Sequence, residues 1–191
     1  KLLAKEGFDL VLVARDLPRL KGVAKELSKL YKIKAETIKA DLTKPAQLAK
    51  VEKRLANNSK PIEVLINNAG NAHGMSAIQD GDVADWEAMM SSNVTGLLYV
   101  SKEVMKGMVA RESGHIINLS SIAGKQTYPN GNVYCASKAA VEALSAGMRQ
   151  DLNPFGIKVT AINPGLVETE FSEVRFKGDP KAKQVYKGYK A

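Results

Sequence analysis

Short, mostly apolar runs alternate along the 191-residue chain with longer segments of helical period. The runs have the length and composition of buried strands, and they predict strands at Leu10–Ala14, Ala35–Lys39, Val64–Asn67, His115–Leu119 and Lys158–Ile162. Leu, Val and Ala recur at helical spacing between them and predict helices over residues 17–30, 45–55, 83–109 and 134–152. The third helix is long enough to contain a bend or a break.

This order of elements predicts an α/β fold whose strands form a parallel sheet. Right-handed crossovers between such strands give an open, doubly wound sheet, and ligands are expected beyond the carboxyl ends of its strands. No internal repeat or obvious linker interrupts the order, so we expect a single domain over residues 1–191.

Composition narrows the class of protein. Hydrophobic residues make up 45% of the chain and charged residues 25%, as in globular proteins. No apolar run approaches the roughly 20 residues of a membrane span, and the single cysteine, Cys135, excludes an internal disulfide and favours a cytoplasmic location. The net charge is +8, but the lysines are scattered and not clustered with aromatics, which favours solvated surface over nucleic-acid binding.

The segment YCASK carries the strongest chemical signal. Tyr134 and Lys138 are four residues apart, so on a helix they share a face. A nearby ammonium favours the phenolate, and we therefore expect Lys138 to lower the pKa of Tyr134. Ser121 follows a predicted strand, where its hydroxyl could hold a substrate oxygen beside Tyr134. Together these groups predict acid/base chemistry on an alcohol or a carbonyl.

A tyrosine and a lysine at this spacing commonly lie on a helix surface without function. Here they occur in order with NNAG at residues 67–70, Asn93, INLSS at 117–121 and NPG at 163–165. With these motifs the chain resembles the short-chain dehydrogenase/reductase family over nearly its whole length. The resemblance implies a Rossmann-like fold and hydride transfer with a nicotinamide cofactor. Against that pattern, the chain is expected to lack the family's first strand with its glycine-rich turn, and its C-terminal end.

The resemblance also implies roles for individual residues. Tyr134 is similar to the general acid/base, and Ser121 to the residue that orients the substrate oxygen. Lys138 is similar to the partner that also holds the nicotinamide ribose. Asn93 resembles the asparagine whose backbone anchors a water in the proton relay. Ser120 is assigned a structural role, because Ser121 has the family's spacing to the tyrosine.

Several further positions resemble the family's cofactor contacts. Small residues after the third strand, where the backbone could approach adenosine, are Asn67, Ala69 and Gly70. Asp41 resembles the contact to the adenine amino group, although a lone DLT could equally cap a helix. The loop that closes on the nicotinamide is matched by Pro164, Gly165, Val167 and Thr169, which could also be an ordinary exit from a strand.

Arg15 follows the first predicted strand, at the place where an acidic residue would favour NAD. A guanidinium there can bind the 2′-phosphate, so NADP is the expected cofactor, with Arg19 as a second contact. The Asp16 carboxylate would repel the 2′-phosphate of NADP if it pointed inward.

Within the family, the segment VETEFSEVRFKGD resembles the NADP-dependent serine or allo-threonine dehydrogenases, also described as 3-hydroxy acid dehydrogenases. That implies a small hydroxy acid, such as serine, allo-threonine or 3-hydroxypropionate, or the matching 3-oxo acid. Arg175 is our hypothetical carboxylate clamp, and it is as well placed in sequence to pair with a glutamate such as Glu168, Glu170 or Glu173.

Two other functions remain open. One is a general NADPH-dependent carbonyl reductase of ketones or aldehydes, and the other is a catalytically silent, nucleotide-sensing regulator. The resemblance implies a homo-oligomer, a tetramer or a dimer, in which the helices of Asn93 and Tyr134 pair with their copies. Small residues on the helix of Tyr134 would permit that close approach. His73 is interpreted as part of a surface turn, with a place in the lining of the substrate pocket as the alternative, and His115 as a partly buried structural residue. Neither lies in a pattern that would bind a metal.

Overall fold

All five predicted strands form, with the predicted bounds, in the computed structural model, which describes residues 1–56, 60–180 and 182. The chain divides into two compact units, Lys1–Asn58 and Ser59–Ala191. Every strand pair within these units is parallel, which confirms the α/β class expected from the alternating pattern. The expectation of a single domain over residues 1–191 stays a prediction.

The first unit is a two-stranded sheet with helices before, between and after its strands. The strands are β1 (Leu10–Ala14) and β2 (Ala35–Lys39), and the helices are α1 (Leu2–Lys5), α2 (Leu17–Tyr31) and α3 (Pro45–Ala56). Helix α2 begins where the sequence predicts, because Asp16 caps its first turn and Pro18 occupies a position that needs no N–H donor. Its apolar side packs on the sheet through Leu27.

The second unit contains a three-stranded sheet in the order β3-β4-β5, formed by β3 (Val64–Asn67), β4 (His115–Leu119) and β5 (Lys158–Ile162). Its helices are α4 (Val83–Met90), α5 (Gly96–Ala110), α6 (Asn132–Leu152) and α7 (Phe171–Arg175). Asn67 lies opposite Asn118, which lies opposite Ala161, so the three strands end along one edge. The loops that leave this edge carry the motifs singled out in the sequence.

The long helical segment predicted over residues 83–109 is interrupted, as its length suggested. A π-helical turn at Ser91–Thr95 separates α4 from α5. Such turns insert an extra residue into a helix and are frequent at functional sites. This one buries Asn93, which is 2% exposed.

Buried amides and hydroxyls join the carboxyl ends of β3 and β4 to the helices. Asn67 Nδ2 donates to Ser101 Oγ and to Asn118 Oδ1, both at 2.8 Å. Asn118 Nδ2 in turn donates to Ser145 Oγ at 2.9 Å. Because buried polar groups are costly unless they are paired, these bonds fix the relative positions of β3, β4, α5 and α6.

None of the helices formed by the described residues has both the length and the apolar character needed to cross a membrane.

We predict that Asn118→Ala lowers the free energy of unfolding by about 2–4 kcal/mol, because it removes the buried hydrogen bonds of Asn118 with Asn67 and Ser145 and opens a small cavity. Urea denaturation followed by circular dichroism measures the change. Thr160→Val is the control, since it removes the exposed hydrogen bond to His115 while keeping a β-branched side chain in a strand. Equal effects of the two substitutions would show that the buried network does not carry the difference.

Candidate active site

Tyr134 lies in the first turn of α6, next to the carboxyl end of β4. It is 8% exposed, and its ring packs against Phe171 with the centroids 5.6 Å apart. The Ser121 hydroxyl is close enough to the phenol to act on its pKa, and it accepts a hydrogen bond from the Ala123 N–H at 3.1 Å. That bond fixes the orientation of the serine, so the two hydroxyls can hold one substrate oxygen between them.

Lys138 lies one helical turn after Tyr134, as the spacing predicts. Its Nζ donates to the Leu119 carbonyl at 2.8 Å and lies 5.9 Å from the centre of the Tyr134 ring. The side chain is 7% exposed, and burial lowers the pKa of Lys138 to about 8. The ammonium is therefore held close to the phenol in an environment that disfavours its charge.

Asn93 joins this group from the π-helical turn. Its side-chain amide exchanges hydrogen bonds with the backbone of Asn71, at 2.9 Å each, and donates to Ser137 Oγ at 3.0 Å. A Cβ at Gly70 would lie 2.9 Å from Asn93 Oδ1 and 3.7 Å from Lys138 Nζ. Glycine at this position thus lets the loop after β3 approach both side chains.

Arg175, at the end of α7, lies above the ring of Tyr134. Its guanidinium carbon is 5.7 Å from the centre of the Tyr134 ring and 5.5 Å from that of Tyr128. Nη1 donates to the Tyr128 hydroxyl at 2.8 Å, and Nε donates to the Gly74 carbonyl at 3.0 Å. These bonds direct the arginine to the loop after β3 and to Tyr128, in place of the glutamates considered from the sequence.

A cavity of about 100 Å³ opens beside these groups. Tyr134 and Arg175 both line it, together with His73, Ser76, Asn132 and the carboxylates of Asp80, Asp82 and Asp85. A residue that can exchange a proton and one that can bind an anion therefore line the same cavity.

Comparison with known proteins identifies the family. A model of the short chain dehydrogenases matches residues 1–179. The NADP-dependent 3-hydroxy acid dehydrogenase YdfG of Escherichia coli K12 is 40% identical over 184 residues, which are 95% of this chain and 73% of that protein. The chain belongs to the short-chain dehydrogenase family.

Solved structures agree with this assignment. The closed form of a serine dehydrogenase complexed with NADP⁺ superimposes with a TM-score of 0.89 at 39% identity, over 98% of this chain and 75% of that one. A bulky-bulky ketone specific alcohol dehydrogenase from Comamonas testosteroni gives a TM-score of 0.80 at 32% identity, over 88% and 69% of the two chains. The Rossmann-like, doubly wound fold and the dehydrogenase class expected from the sequence are confirmed.

The predicted cofactor contacts in the second unit of this short-chain dehydrogenase lie on the loops at the carboxyl edge of its sheet. Ala69 and Gly70 are exposed after β3, whereas the Asn67 side chain is buried in the polar network and only its backbone is available. The loop after β5 contains Pro164, Gly165, Val167 and Thr169, of which all but the half-buried proline are exposed. The Pro164 carbonyl accepts from the Ile122 N–H at 3.1 Å, which places the start of this loop beside Ser121.

In the first unit, Arg15 is exposed directly after β1, and its charge acts on Asp41. Burial acts to raise the pKa of Asp41, but hydrogen bonds from Thr43 and the charges of Arg15 and Lys44 outweigh it, so the pKa is lowered. The Asp41 carboxylate closes a turn with Thr43, and α3 begins only at Pro45, so it does not cap that helix. Asp16 caps α2, which removes the objection that its carboxylate opposes Arg15.

The prediction for the pKa of Tyr134 is wrong in direction. Burial of the phenol raises it, and the hydrogen bond from Ser121 and the charge of Arg175 offset the rise only in part. Lys138 directs its ammonium to the Leu119 carbonyl instead of to the phenol. Sequence spacing placed the two residues on one face, but it could not show how much water each would lose.

Sequence reasoning also missed residues that shape the site. Tyr128 holds Arg175, although only its closeness to YCASK in the sequence could have suggested it. His73 is half-buried and lines the cavity, which agrees with the alternative considered for it and not with the favoured surface turn. Ser120 has the structural role expected, since its hydroxyl is buried and donates to the Lys138 carbonyl at 3.2 Å.

Across the described residues, no three His, Cys, Asp or Glu side chains are grouped in a way that could hold a metal ion.

We predict that Lys138→Met makes the protein without cofactor more stable at pH 7, by about 1–2 kcal/mol, while abolishing activity. The folded chain binds the Lys138 proton less tightly than the unfolded chain, so at pH 7 it bears the full cost of a buried ammonium. That cost exceeds the loss of the single hydrogen bond to Leu119.

As the pH rises from about 8 towards 10.5, wild-type lysine deprotonates in the folded state first, so its stability should rise and the advantage of Lys138→Met should shrink. Denaturant titrations at pH 7 and above pH 9 measure both effects. Lys102→Met on the exposed side of α5 is the control and should show neither. A destabilised Lys138→Met at pH 7 would mean that the ammonium is satisfied in the folded chain.

Proposed function

We propose that this short-chain dehydrogenase transfers a hydride between NADP(H) and carbon 3 of a small 3-hydroxy acid, such as serine, allo-threonine or 3-hydroxypropionate. The observation that carries the proposal is the position of Arg175, which lines the same cavity as Tyr134. A planar guanidinium suits the two oxygens of a carboxylate. A substrate bound by its acid group there would present the rest of a short carbon chain to the phenol.

The chain's own side chains account for the proton. In oxidation, Tyr134 as phenolate takes the proton of the 3-hydroxyl, while Ser121 holds the oxygen from its other side. In reduction, the phenol returns the proton to the 3-oxo oxygen. Lys138 stabilises the phenolate by its charge, and Asn93 stabilises the site by joining the π-helical turn to α6 through Ser137.

NADP supplies the acceptor and donor of the hydride when it is bound. Supporting this choice over NAD, Arg15 offers a guanidinium for the 2′-phosphate, and Asp16 is turned to its helix cap. Asp41 next to Arg15 has a lowered pKa, so it is a carboxylate at neutral pH and can accept from the adenine amino group.

In the second unit, we propose contacts to the ribose and the nicotinamide. Lys138 and Tyr134 would bind the ribose, and Gly70 lets the loop after β3 approach Lys138. Exposed residues of the loop after β5 are proposed to contact the nicotinamide: Pro164, Gly165, Val167 and Thr169. The names of the relatives, an NADP-dependent 3-hydroxy acid dehydrogenase and a serine dehydrogenase complexed with NADP⁺, support both the cofactor and the class of substrate.

Similarity to the ketone-specific alcohol dehydrogenase of C. testosteroni favours a second candidate, a general carbonyl reductase. The same tyrosine, serine and lysine would serve that reaction. The difference lies in Arg175, since a neutral ketone has no use for a buried guanidinium.

We also propose that the protein is a homo-oligomer, a tetramer or a dimer. The exposed alanines Ala139, Ala143 and Ala146 on α6 would let a second helix approach closely. On α5 the large side chains of Leu98 and Tyr99 are exposed as well. Light scattering on the purified protein measures its mass in solution.

The substrate is tested with a panel of 3-hydroxy acids and neutral secondary alcohols. We predict that Arg175→Met raises KM for the acids by about 10–100-fold, the effect of losing a charge-assisted hydrogen-bonded pair, and leaves kcat/KM for neutral alcohols within about threefold. Steady-state NADPH formation or consumption measures both. Equal losses on acids and alcohols would refute the clamp.

Tyr134→Phe and Ser121→Ala are the positive controls in that assay, and each should lower kcat by about 10²-fold or more. Ser120→Ala is the matched control for Ser121→Ala. If the wild-type protein bound NADPH but turned over no substrate, a sensing role would replace the enzymatic one.

We predict that kcat/KM for oxidation rises about tenfold per pH unit between pH 6 and pH 8, because the raised pKa of Tyr134 keeps the phenol protonated there. Above about pH 8, Lys138 loses its proton and stabilises the phenolate less, so the profile should flatten. Reduction uses the phenol and should stay level over the lower range. An oxidation rate independent of pH from 6 to 8 would show that another group accepts the proton.

A further inference from the structure

The cavity beside Tyr134 contains a carboxylate that the proposed reaction does not use. Two of its three aspartates are engaged locally, since Asp82 caps α4 through the Ala84 N–H and Asp80 accepts from the side chain of Gln79. Asp85 differs from them. Its Oδ1 binds the ammonium of Lys177 at 2.8 Å.

Asp85 and Arg175 both lie against Gly74. Asp85 Oδ2 is 3.3 Å from the position that a Cβ on Gly74 would occupy. Arg175 binds the same residue through two hydrogen bonds of 3.0 Å, from its Nε to the Gly74 carbonyl and from the Gly74 N–H to its own carbonyl. One negative and one positive side chain therefore flank a single loop residue, and both line the cavity.

We propose that Asp85 determines specificity by binding the ammonium of a 2-amino-3-hydroxy acid, in place of Lys177, while Arg175 binds the carboxylate. The inference rests on the function proposed above. In such a substrate the ammonium and the carboxylate are attached to the same carbon, next to the carbon that is oxidised. A 3-hydroxy acid without the amine would use Arg175 alone and leave Lys177 on Asp85.

The ion pair with Lys177 shows which chemical group Asp85 binds and why a substrate amine can replace the lysine. Lys177 is an alkylammonium, the same chemical group as the amine of the substrate. Its side chain is 61% exposed, whereas that of Asp85 is 17% exposed. The lysine can return to water at little cost, and a substrate amine held nearby by its own carboxylate competes at a high effective concentration.

Two substitutions test the exchange, and they should act in opposite directions. Asp85→Asn keeps size but removes the charge, so kcat/KM for serine and allo-threonine should fall about 10–100-fold. For 3-hydroxypropionate and 3-hydroxybutyrate, which lack only the amine, kcat/KM of Asp85→Asn should stay within about threefold of the wild-type value. Lys177→Met removes the competitor, so KM for serine should fall about two- to fivefold, with no change for the plain hydroxy acids.

Direct binding gives a readout that does not depend on turnover. In isothermal titration calorimetry, Asp85→Asn should weaken the binding of serine and Lys177→Met should strengthen it. Neither substitution should change the binding of 3-hydroxypropionate. Glu103→Gln and Lys106→Met are the matched controls, because they break an ion pair of similar exposure on α5, at 64% for the lysine and 22% for the glutamate. Neither should change the ratio between amino and plain hydroxy acids.

The outcomes separate this inference from the proposed function. If both Asp85→Asn and Lys177→Met lower kcat/KM by the same factor for amino and plain hydroxy acids, the ion pair only stabilises the structure and the inference is wrong. If Asp85→Asn does not fold, the sign of the Lys177→Met effect on serine decides. If the wild-type protein turns over no 3-hydroxy acid, the proposed function fails. The role of Asp85 is then tested by calorimetry alone, from the difference between the binding of serine and that of 3-hydroxypropionate.

Discussion

A buried ammonium fixes the geometry on which the candidate site depends. Lys138 is held by the Leu119 carbonyl at the end of β4, and that single bond ties the first turns of α6 to the edge of the sheet. Burial lowers the pKa of Lys138 to about 8, so the folded chain holds a charge where it is disfavoured. Groups whose pKa is shifted by burial are typical of functional sites. Since α6 cannot rotate without losing this bond, Tyr134 is held in the cavity.

Hydrogen bonds between neutral polar side chains hold the strands and helices that carry the candidate site. Asn67, Asn118 and Ser145 are buried and hydrogen-bonded to one another, so they impose a geometry without the desolvation cost of an ion. The amide of Asn93 does the same between the π-helical turn and α6. Among the buried residues that the structure describes, the charged ones are Lys138 and Arg175, and both lie close to the centre of the Tyr134 ring, at 5.9 Å and 5.7 Å.

Periodicity and turn residues were enough to predict the strands, the crossover helices and the break near Asn93, because these depend on local pattern. Motif order was enough to bring Ser121, Tyr134 and Lys138 together. The sign of the pKa shift of Tyr134 could not be predicted, since it depends on burial by residues distant in sequence such as Phe171. The contact between Arg175 and Tyr128 spans 47 positions, and no spacing rule relates the two.

In the proposed reaction, Arg175 would link substrate binding to the acid/base step. Its guanidinium stabilises the Tyr134 phenolate at present, as one of the groups that lower the pKa of that phenol. A carboxylate bound to it would cancel much of its field, and the pKa of Tyr134 would rise further. The phenol would then stay protonated over a wider pH range, which suits the return of a proton to a 3-oxo oxygen in reduction. A neutral alcohol or ketone would leave the guanidinium uncompensated and the pKa of Tyr134 as it is, so the same side chain would couple the charge of the substrate to the protonation of the phenol.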